Sequence, residues 1–589
     1  MRVFRWIARA VLGAFVLAPA IALAAAMFVD RGPAGESRFS PHLFPMALWI
    51  FDDFSWICVR NSVIFAVIVS LASLVGGVFL GWFIARRPFW GRWILHPLIV
   101  ALVAVAPAFL ALGLLGVFGG PRPWPWPFIV VYEGIAGVSL ESWNSMPLWI
   151  MWIWTTLPLG VAVVTLATVP AVEQLQPSWE DSARLVGVRS LKIWKTWNWP
   201  FVRPSSARAA ALVFVMALVE PGAPLVLGLR RTLAYQVIQT ARRPDPFPAA
   251  AVWAMMAGLI GLAGWIVWRW LGGSPIKTSE GLTKAGSRQF RSAPVHALVR
   301  GVPPAAWALV GWLPLVGLAR LALSPRRVDS TSAPGFRHFV RDLVELVSDP
   351  IAARLVANSL ILGLVVSSVI VLAAWLVGPD ARGATSWWRG RLMRPIFVMP
   401  PLVQGVGVLA IPWLAALAST FLIDQGRLGS LAHALESFAA ALDPLHSPWM
   451  ISSCAIGLVL LPRFLWCWRT EPRTDSASPY AGSSFDAATI AGAARTRAIA
   501  LANYGRGRRL LGRFLLVWVL ATTNLTPALL FEPWMGGQSV APTVVLLATG
   551  PGAIPAQAAA LALCAIAANL VALAIAHSTN ALPRVRDLI

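Results

Sequence analysis

The sequence predicts an all-α polytopic membrane protein, and three observations support this fold class. First, only 12% of the 589 residues are charged and 58% are hydrophobic, whereas a soluble protein of this length needs far more charge on its surface. Second, the mean hydropathy of the whole chain is high, at +0.70. Third, apolar runs of about 20 residues recur, the length that a helix needs to cross about 30 Å of hydrocarbon. These runs are continuous and do not alternate, so helices rather than barrel strands are expected.

The apolar runs predict about 12 transmembrane helices in two sets of six. Their centres lie near residues 20, 70, 106, 158, 217 and 260 in the first set, and near 311, 366, 407, 458, 521 and 567 in the second. Between the sets, residues 272–300 are rich in Gly, Ser and Lys and lack apolar periodicity, which predicts a cytoplasmic linker. The chain therefore divides into a first half, 1–271, and a second half, 301–589.

The first predicted span follows a basic N-terminus that is also typical of a signal peptide. Its apolar stretch, from Ala10 to Val29, is longer than a usual signal core. We therefore expect the span to be retained.

Lysine and arginine indicate the orientation. The net charge of +23 could point to a nucleic-acid partner, but basic residues in a membrane protein collect in cytoplasmic loops, so no nucleic-acid partner is expected. With the N-terminus inside, the inner segments hold about two thirds of the 48 lysines and arginines. Six spans return each half to the same side, so the halves are expected to be parallel repeats with both chain termini in the cytoplasm.

Several landmarks recur in both halves in the same order. They are an Asn-Ser pair in one span, a basic Trp-rich loop after it, and proline in the next span. In the first half the pair and the proline are Asn61-Ser62 and Pro107, and in the second they are Asn358-Ser359 and Pro400-Pro401. An internal duplication is therefore predicted.

A polar segment lies between the fourth and fifth predicted spans of each half. The first contains EDSARLVG and the second FDAATIAG, and each has a glycine six residues after an acid, Gly187 after Asp181 and Gly492 after Asp486. An acid near a helix start suits the helix dipole, and glycine permits a tight turn at the helix end. Because both segments are predicted to be cytoplasmic, we interpret them as paired surfaces that bind a duplicated or dimeric partner. A solvated loop with no partner is the alternative, which the matched spacing disfavours.

These segments resemble the EAA loops of binding-protein-dependent ABC importer permeases, whose pattern is E-A-A, three residues, G, nine residues and I-x-L-P. The loops would cover about 171–206 and 471–512, within a resemblance that runs from about 55 to 265 and from about 350 to 575. The first half keeps the late proline, whereas Gly505 stands at that position in the second. The residues that the resemblance places at ATPase contacts are Glu180, Asp181, Ala183, Gly187, Pro200, Asp486, Ala487, Ala488 and Gly492.

The resemblance implies a type I ABC importer permease with both halves fused, as in the iron(III)/thiamine branch. It implies iron(III) or thiamine as the solute, with polyamine, sulfate or phosphonate as alternatives. The implied partners are a cytosolic ABC ATPase in two copies and an extracytoplasmic solute-binding protein, at a bacterial inner membrane. The sequence contains no G-x-x-x-x-G-K-[ST], so ATP is expected on the partner, and the chain is expected to hold no cofactor and to be no enzyme.

Polar residues inside the spans are candidates for a solute pathway, because the membrane disfavours them without a function. In the fifth span Glu220 precedes Pro221, which breaks the helix and frees backbone carbonyls. The matching place in the eleventh span contains Asn524, Thr526 and Pro527. Alternatively, both groups cap helices near the outer interface. The seven histidines lack ligand spacing, so no metal site is predicted.

An ATP-independent secondary carrier is the main alternative from another class, because some carriers also have two parallel six-span halves. A carrier is expected to place coupling carboxylates in the middle of the membrane, and the predicted spans contain very few. It also has no need for matched polar segments on the cytoplasmic side. The permease is therefore the favoured interpretation.

Overall fold

Where the structure describes them, the predicted apolar runs are helical in the computed structural model of the chain. The structure describes residues 17–31, 37–39, 52–86, 92–118, 146–173, 177–241, 247–273, 294–323, 350–377, 399–424, 429–443, 525–531, 539–549 and 555–578, with isolated residues near 14, 175, 344 and 348 and short pieces within 454–460 and 511–522. The structural statements below concern these residues.

Seventeen helices, numbered here in chain order, follow an N-terminal helix at Leu17–Ala26. They are α1 Asp53–Arg86, α2 Arg92–Ala101, α3 Pro107–Phe118, α4 Met146–Glu173, α5 Pro177–Leu185, α6 Ser190–Ile193, α7 Trp199–Val219, α8 Gly222–Leu227, α9 Leu233–Ala241, α10 Phe247–Gly272, α11 Pro294–Leu323, α12 Pro350–Val377, α13 Pro401–Asp424, α14 Gly429–Leu442, α15 Leu525–Phe531, α16 Val540–Thr549 and α17 Pro555–Ser578.

Eight of the described helices are long and apolar enough to cross a membrane. A ninth candidate is the pair Pro97–Ala104 and Pro107–Phe118, which is bent by 103°. The all-helical polytopic class is thus supported, with the exception of two short antiparallel strands, β1 (Val29–Arg31) and β2 (Ser37–Phe39). The predicted spans near 458 and 521 lie largely outside the described residues, so the number 12 remains a prediction.

The bend in the third predicted span has a local cause. A 3-10 turn, Leu102–Ala104, ends α2, and Val105 is extended, with φ −110° and ψ 124°. Pro107 then begins α3. Proline suits the first turn of a helix, where its missing N–H needs no partner, and it disfavours helical backbone in the residue before it. Pro107 therefore starts a new helix rather than continuing the old one.

Helices α1, α4 and α7 form the centre of the first half, and small residues let them approach closely. A Cβ placed on Gly77 would lie 2.5 Å from Cβ of Val164, and one on Gly81 would lie 2.6 Å from Cβ of Thr168. The hydroxyls of Thr168 and Ser206 are 3.0 Å apart and join α4 to α7. Such close backbone approach is typical of helix packing in membranes.

The two halves exchange helices. Helix α11 of the second half packs on α3 of the first half, where Gly113 faces the backbone of Pro314 with no room for a side chain. The N-terminal helix packs on α13 of the second half, where Gly407 faces the backbone of Pro19 in the same way. Each glycine lies six residues after the first proline of its helix. The two contacts are therefore alike.

Candidate functional site

The first predicted cytoplasmic segment forms two short helices between the longer helices α4 and α7. Helix α5 runs over Pro177–Leu185, and α6, Ser190–Ile193, leads into a single π-helical stretch, Trp194–Asn198. We call residues 177–198 the docking segment. It is shorter than the predicted loop of about 171–206, because α4 continues to Glu173 and α7 already begins at Trp199.

Gly187 ends α5 in a left-handed conformation, with φ +81°. The N–H of Val188 donates to the carbonyl of Ala183 over 3.0 Å, and the N–H of Gly187 donates to the carbonyl of Arg184 over 2.9 Å. These two bonds form a Schellman motif, in which the residue after the helix needs positive φ and glycine meets that need without strain. The predicted turn at Gly187 is thus present.

Arg86, the last residue of α1, holds the start of the docking segment. Its Nη2 lies 3.3 Å from Oε1 of Glu180 on α5. The same Nη2 donates to the carbonyl of Leu175, between α4 and α5, over 2.9 Å. The Arg86 and Glu180 side chains are only 14% and 15% exposed, so water screens this ion pair little. The salt bridge therefore joins a membrane span to the docking segment.

A pair of tryptophans makes a second attachment between the same elements. The rings of Trp82 on α1 and Trp194 at the end of the docking segment meet edge to face, with centroids 4.7 Å apart. The guanidinium carbon of Arg86 lies 5.4 Å from the centroid of the Trp82 ring. Arg86 and Trp82 are one helical turn apart, so one end of α1 contacts both ends of the docking segment.

Between these attachments the docking segment exposes apolar side chains. Leu185 is 89% exposed and Val186 is 83% exposed, and Leu191 is also exposed. Arg184 lies beside them, with Nη2 3.9 Å from Oε2 of Glu180. Asp181 and Ala183 on α5 are half-buried. Apolar residues with this exposure at the end of a short helix are typical of a surface that binds another protein.

Pro200 lies in the first turn of α7 and not in a loop. The chain reaches it through the π-helical stretch, where the N–H of Trp199 donates to the carbonyl of Trp194. A wider turn before a proline accommodates its missing N–H, so the helix continues through it. The chain therefore enters α7 through Pro200 without a loop.

The second predicted docking segment lies outside the described residues, and with it Asp486, Ala487, Ala488 and Gly492. The structure therefore describes the first of the two predicted segments alone.

The predicted break at Glu220 and Pro221 is present, and the glutamate caps the helix that follows. Oε1 of Glu220 accepts from the N–H of Gly222 over 2.8 Å, and Oε2 accepts from the N–H of Ala223 over 3.1 Å. Glu220 is half-buried and Pro221 is buried. Both carboxylate oxygens thus bind the start of α8, which is the capping alternative that the sequence left open.

The region of the second half that corresponds to the break at Glu220 and Pro221 lies only partly within the described residues. Asn524 lies outside the described residues, and Thr526 and Pro527 lie on α15, with their side chains outside that description. The broken helices of the two halves meet, because α8 contacts α16 and α9 contacts α15. The candidate pathway residues are therefore carried by elements that adjoin at the interface of the halves.

The duplicated Asn-Ser pairs make matching contacts with these broken helices. The hydroxyl of Ser62 on α1 accepts from the N–H of Leu233 at the start of α9, over 2.9 Å. The hydroxyl of Ser359 on α12 accepts from the N–H of Val540 at the start of α16, over 2.7 Å. Each serine thus supplies an acceptor to a helix N-terminus that lies far away in sequence. The sequence marked both pairs as repeated but did not indicate this contact.

A buried polar link that sequence reasoning missed joins the halves nearby. Asn569 on α17 is 2% exposed, and its Oδ1 lies 2.8 Å from the hydroxyl of Thr522. Its Nδ2 donates to the carbonyl of Ala104 at the bend between α2 and α3, over 3.5 Å. An asparagine inside an apolar helix was the available signal, because buried polar groups in a membrane are costly without partners.

Comparison with known proteins gives one match. The chain is 26% identical over 196 residues to the thiamine transport system permease protein ThiP of Escherichia coli (strain K12), which is 31% of this chain and 33% of that protein. The match thus spans a third of the relative's length. No family model matches the chain. Together with the apolar helices, the similarity supports a membrane-embedded, permease-like protein.

Proposed function

We propose that the chain is the membrane-spanning permease of an ATP-driven ABC importer. The observation that carries this proposal is the docking segment, a short helix attached to the end of a span that exposes Leu185 and Val186 away from the bundle. The similarity to a transport-system permease supports the same function. The chain itself supplies the pathway, and its partner supplies ATP hydrolysis.

The proposed partners are two copies of a cytosolic ABC ATPase and an extracytoplasmic solute-binding protein. One ATPase copy would bind the docking segment, and the second would bind the equivalent region around Asp486 and Gly492. The first spans of the halves are exchanged, so a displacement of one half pulls on helices of the other through the contacts of Gly113 and Gly407. This exchange supports alternating access as a movement of coupled halves.

The proposed setting is the bacterial inner membrane with both termini in the cytoplasm, in a chain of two parallel six-span repeats. The paired contacts of Ser62 and Ser359 and the paired contacts of Gly113 and Gly407 support this duplication. Thiamine is the first solute to test, because the relative is a thiamine transport permease. Iron(III) is the second solute to test. Among the described residues no group of three or more His, Cys, Asp or Glu side chains could hold a metal ion, so iron selection would fall to the binding protein.

A two-part experiment tests this function. The chain is co-expressed with a candidate ABC ATPase from the same organism, and co-purification is measured for the unmodified chain and for Leu185→Asp/Val186→Asp. Charge at the exposed apolar surface is expected to abolish co-purification, because desolvating two carboxylates in an interface is costly. Leu431→Asp/Leu442→Asp on α14 is the matched control, since it adds the same two charges at exposed leucines on the predicted outer side.

Uptake into proteoliposomes is then measured with thiamine, iron(III) and a polyamine. ATP-dependent uptake of one solute that requires the ATPase is expected. Uptake that persists without any ATPase would overturn the proposal in favour of a secondary carrier. Full retention of the ATPase by Leu185→Asp/Val186→Asp would contradict the docking role of this surface.

A further inference from the structure

Three arginines cluster at one end of the helix pair α7 and α10. The pair is antiparallel and tightly packed, because Gly264 faces the ring of Phe214 and Gly272 faces Cβ of Ala207. This register places Arg269 on α10 beside Arg208 on α7. The third arginine, Arg203, donates from Nε to the carbonyl of Gly272 over 3.1 Å, so it lies at the same end.

The Arg208 and Arg269 side chains are both exposed, and neither pairs with a carboxylate within the described residues. Two like charges held together without a counter-charge are unfavourable, so this surface gains free energy from an anion. Arginine also binds phosphate oxygens through two parallel hydrogen bonds, which suits it to phosphate more than lysine.

The position of the cluster along the helices places it at the level of lipid headgroups. The candidate membrane span within α10, Pro248–Gly272, has 25 residues. At about 1.5 Å per residue its length exceeds the thickness of the hydrocarbon layer, and Arg269 lies one turn from its end. On α7, Arg208 immediately precedes the apolar stretch that continues to Leu227. Both guanidinium groups thus lie where the apolar part of each helix ends.

Apolar and aromatic side chains lie beside the cluster on α10, with Ile266 and Val267 on the side of Arg269 toward the middle of the helix. Ile266, Val267 and Trp270 are exposed on α10, and Trp270 is 80% exposed. The guanidinium carbon of Arg269 lies 5.2 Å from the centroid of the Trp265 ring, so the ring holds the charge near the interface. Exposed aliphatic side chains beside paired cations complement a phospholipid, whose acyl chains continue from a charged phosphate.

We propose that Arg208 and Arg269, supported by Arg203, bind the phosphate of an anionic phospholipid in the cytoplasmic leaflet. The site lies on the lipid-facing surface of the helix bundle. The proposal does not depend on the proposed transport function. The lipid neutralises the two cations and packs along the exposed face of α10.

Native mass spectrometry of the purified full chain tests this site. Binding is titrated with phosphatidylglycerol and with phosphatidylcholine of the same acyl chains, for the unmodified protein and for Arg208→Gln/Arg269→Gln. The affinity for phosphatidylglycerol is expected to fall about fivefold for each arginine, or roughly 25-fold in the double variant, and that for phosphatidylcholine far less. The control is Arg230→Gln/Arg231→Gln, which removes the same charge at the opposite end of the same span.

Further arms separate charge from packing and lipid from free anion. Arg208→Lys/Arg269→Lys keeps both charges, so it is expected to retain most of the selectivity for phosphatidylglycerol. Equal losses in the glutamine and lysine variants, or equal losses in the control, would overturn the proposal. Displacement of the lipid by millimolar inorganic phosphate would assign the site to a soluble anion and would likewise overturn it.

Discussion

Arg86 and Glu180 form an ion pair between the end of a transmembrane helix and the helix proposed to bind the ATPase, with Nη2 and Oε1 3.3 Å apart. A displacement of the docking segment is therefore transmitted directly to α1 through this ion pair. The edge-to-face contact of Trp82 and Trp194 provides a second route at the other end of the segment. Because α1 also packs along α4 and α7, a force at the segment reaches the centre of the first half.

Removal of one charge from this pair is expected to loosen the docking segment. Glu180→Gln leaves a largely buried guanidinium without its counter-charge, which should destabilise the local structure by about 1–3 kcal/mol. The measurement is the rate of trypsin cleavage at the exposed residues Arg189, Lys192 and Lys195, which should rise. Arg184→Gln is the control. It breaks an exposed contact worth about 0.5 kcal/mol or less. A Glu180→Gln chain cleaved at the original rate would show that the pair does not hold the segment.

Gly187→Ala is expected to weaken the end of α5 through backbone strain alone. For most residues with a Cβ, the left-handed conformation raises the free energy by about 1–2 kcal/mol, whereas for asparagine the increase is smaller. Nothing lies within 4 Å of a Cβ at Gly187, so Gly187→Leu should cost no more than Gly187→Ala in the isolated chain. The readouts are the same cleavage assay and co-purification of the ATPase.

The control for this glycine is Gly429→Ala on α14, where a Cβ also meets nothing within 4 Å and the backbone lacks positive φ. That variant should leave both readouts unchanged. A Gly187→Asn chain as impaired as Gly187→Ala would contradict the conformational explanation.

The exchanged helices should depend on Gly113 and Gly407. A valine at either position has no space against the backbone of Pro314 or Pro19, and overpacking of this kind costs about 1–3 kcal/mol. The two halves are expressed as separate chains divided between residues 273 and 294, outside α10 and α11, and their co-purification is measured. Both valine variants should reduce it, whereas Gly258→Ala, with its nearest atom at 3.4 Å, should not. Unaltered co-purification in both valine variants would show that the contacts do not hold the halves together.

Ser62→Ala and Ser359→Ala should expose the first amides of the broken helices. Each change removes a hydrogen-bond acceptor from a helix N-terminus, which is worth about 1 kcal/mol. Hydrogen exchange at Leu233 or Val540 should therefore accelerate about fivefold in the corresponding variant. Ser419→Ala serves as the control, because its hydroxyl bonds only to the carbonyl of Ala416 within its own helix. Equal exchange in all three variants would contradict the cap.

Substitutions of Glu220 separate capping from a role in the pathway. Glu220→Ala removes both bonds to α8 and should cost about 1–2 kcal/mol of stability, while Glu220→Gln keeps one acceptor oxygen and should cost about half as much. If capping is its role, uptake should follow stability in the order Glu, Gln, Ala. Loss of uptake in a stable Glu220→Gln chain would instead show that the charge itself is needed.

Much of the fold follows from local sequence. Membrane thickness dictates the length of a span, so continuous apolar runs identify helices such as α1 and α12 without tertiary information. The turn at Gly187 and the breaks at Pro107 and Pro221 are also local, since a glycine or a proline restricts its own backbone wherever it stands. Pro200 shows the limit of that rule, because a preceding π-helical stretch lets the helix continue through it.

The contacts between residues far apart in the chain depend on the tertiary structure. Arg86 is one of many arginines at a span end, and nothing local selects Glu180 as its partner rather than a neighbouring acid. The same holds for Ser62 with Leu233 and for Gly113 with Pro314, since neither a repeated serine nor a small residue in a span indicates which residue it contacts. Their partners depend on which helices lie side by side, because interatomic forces act across a few ångströms of space whatever the separation along the chain.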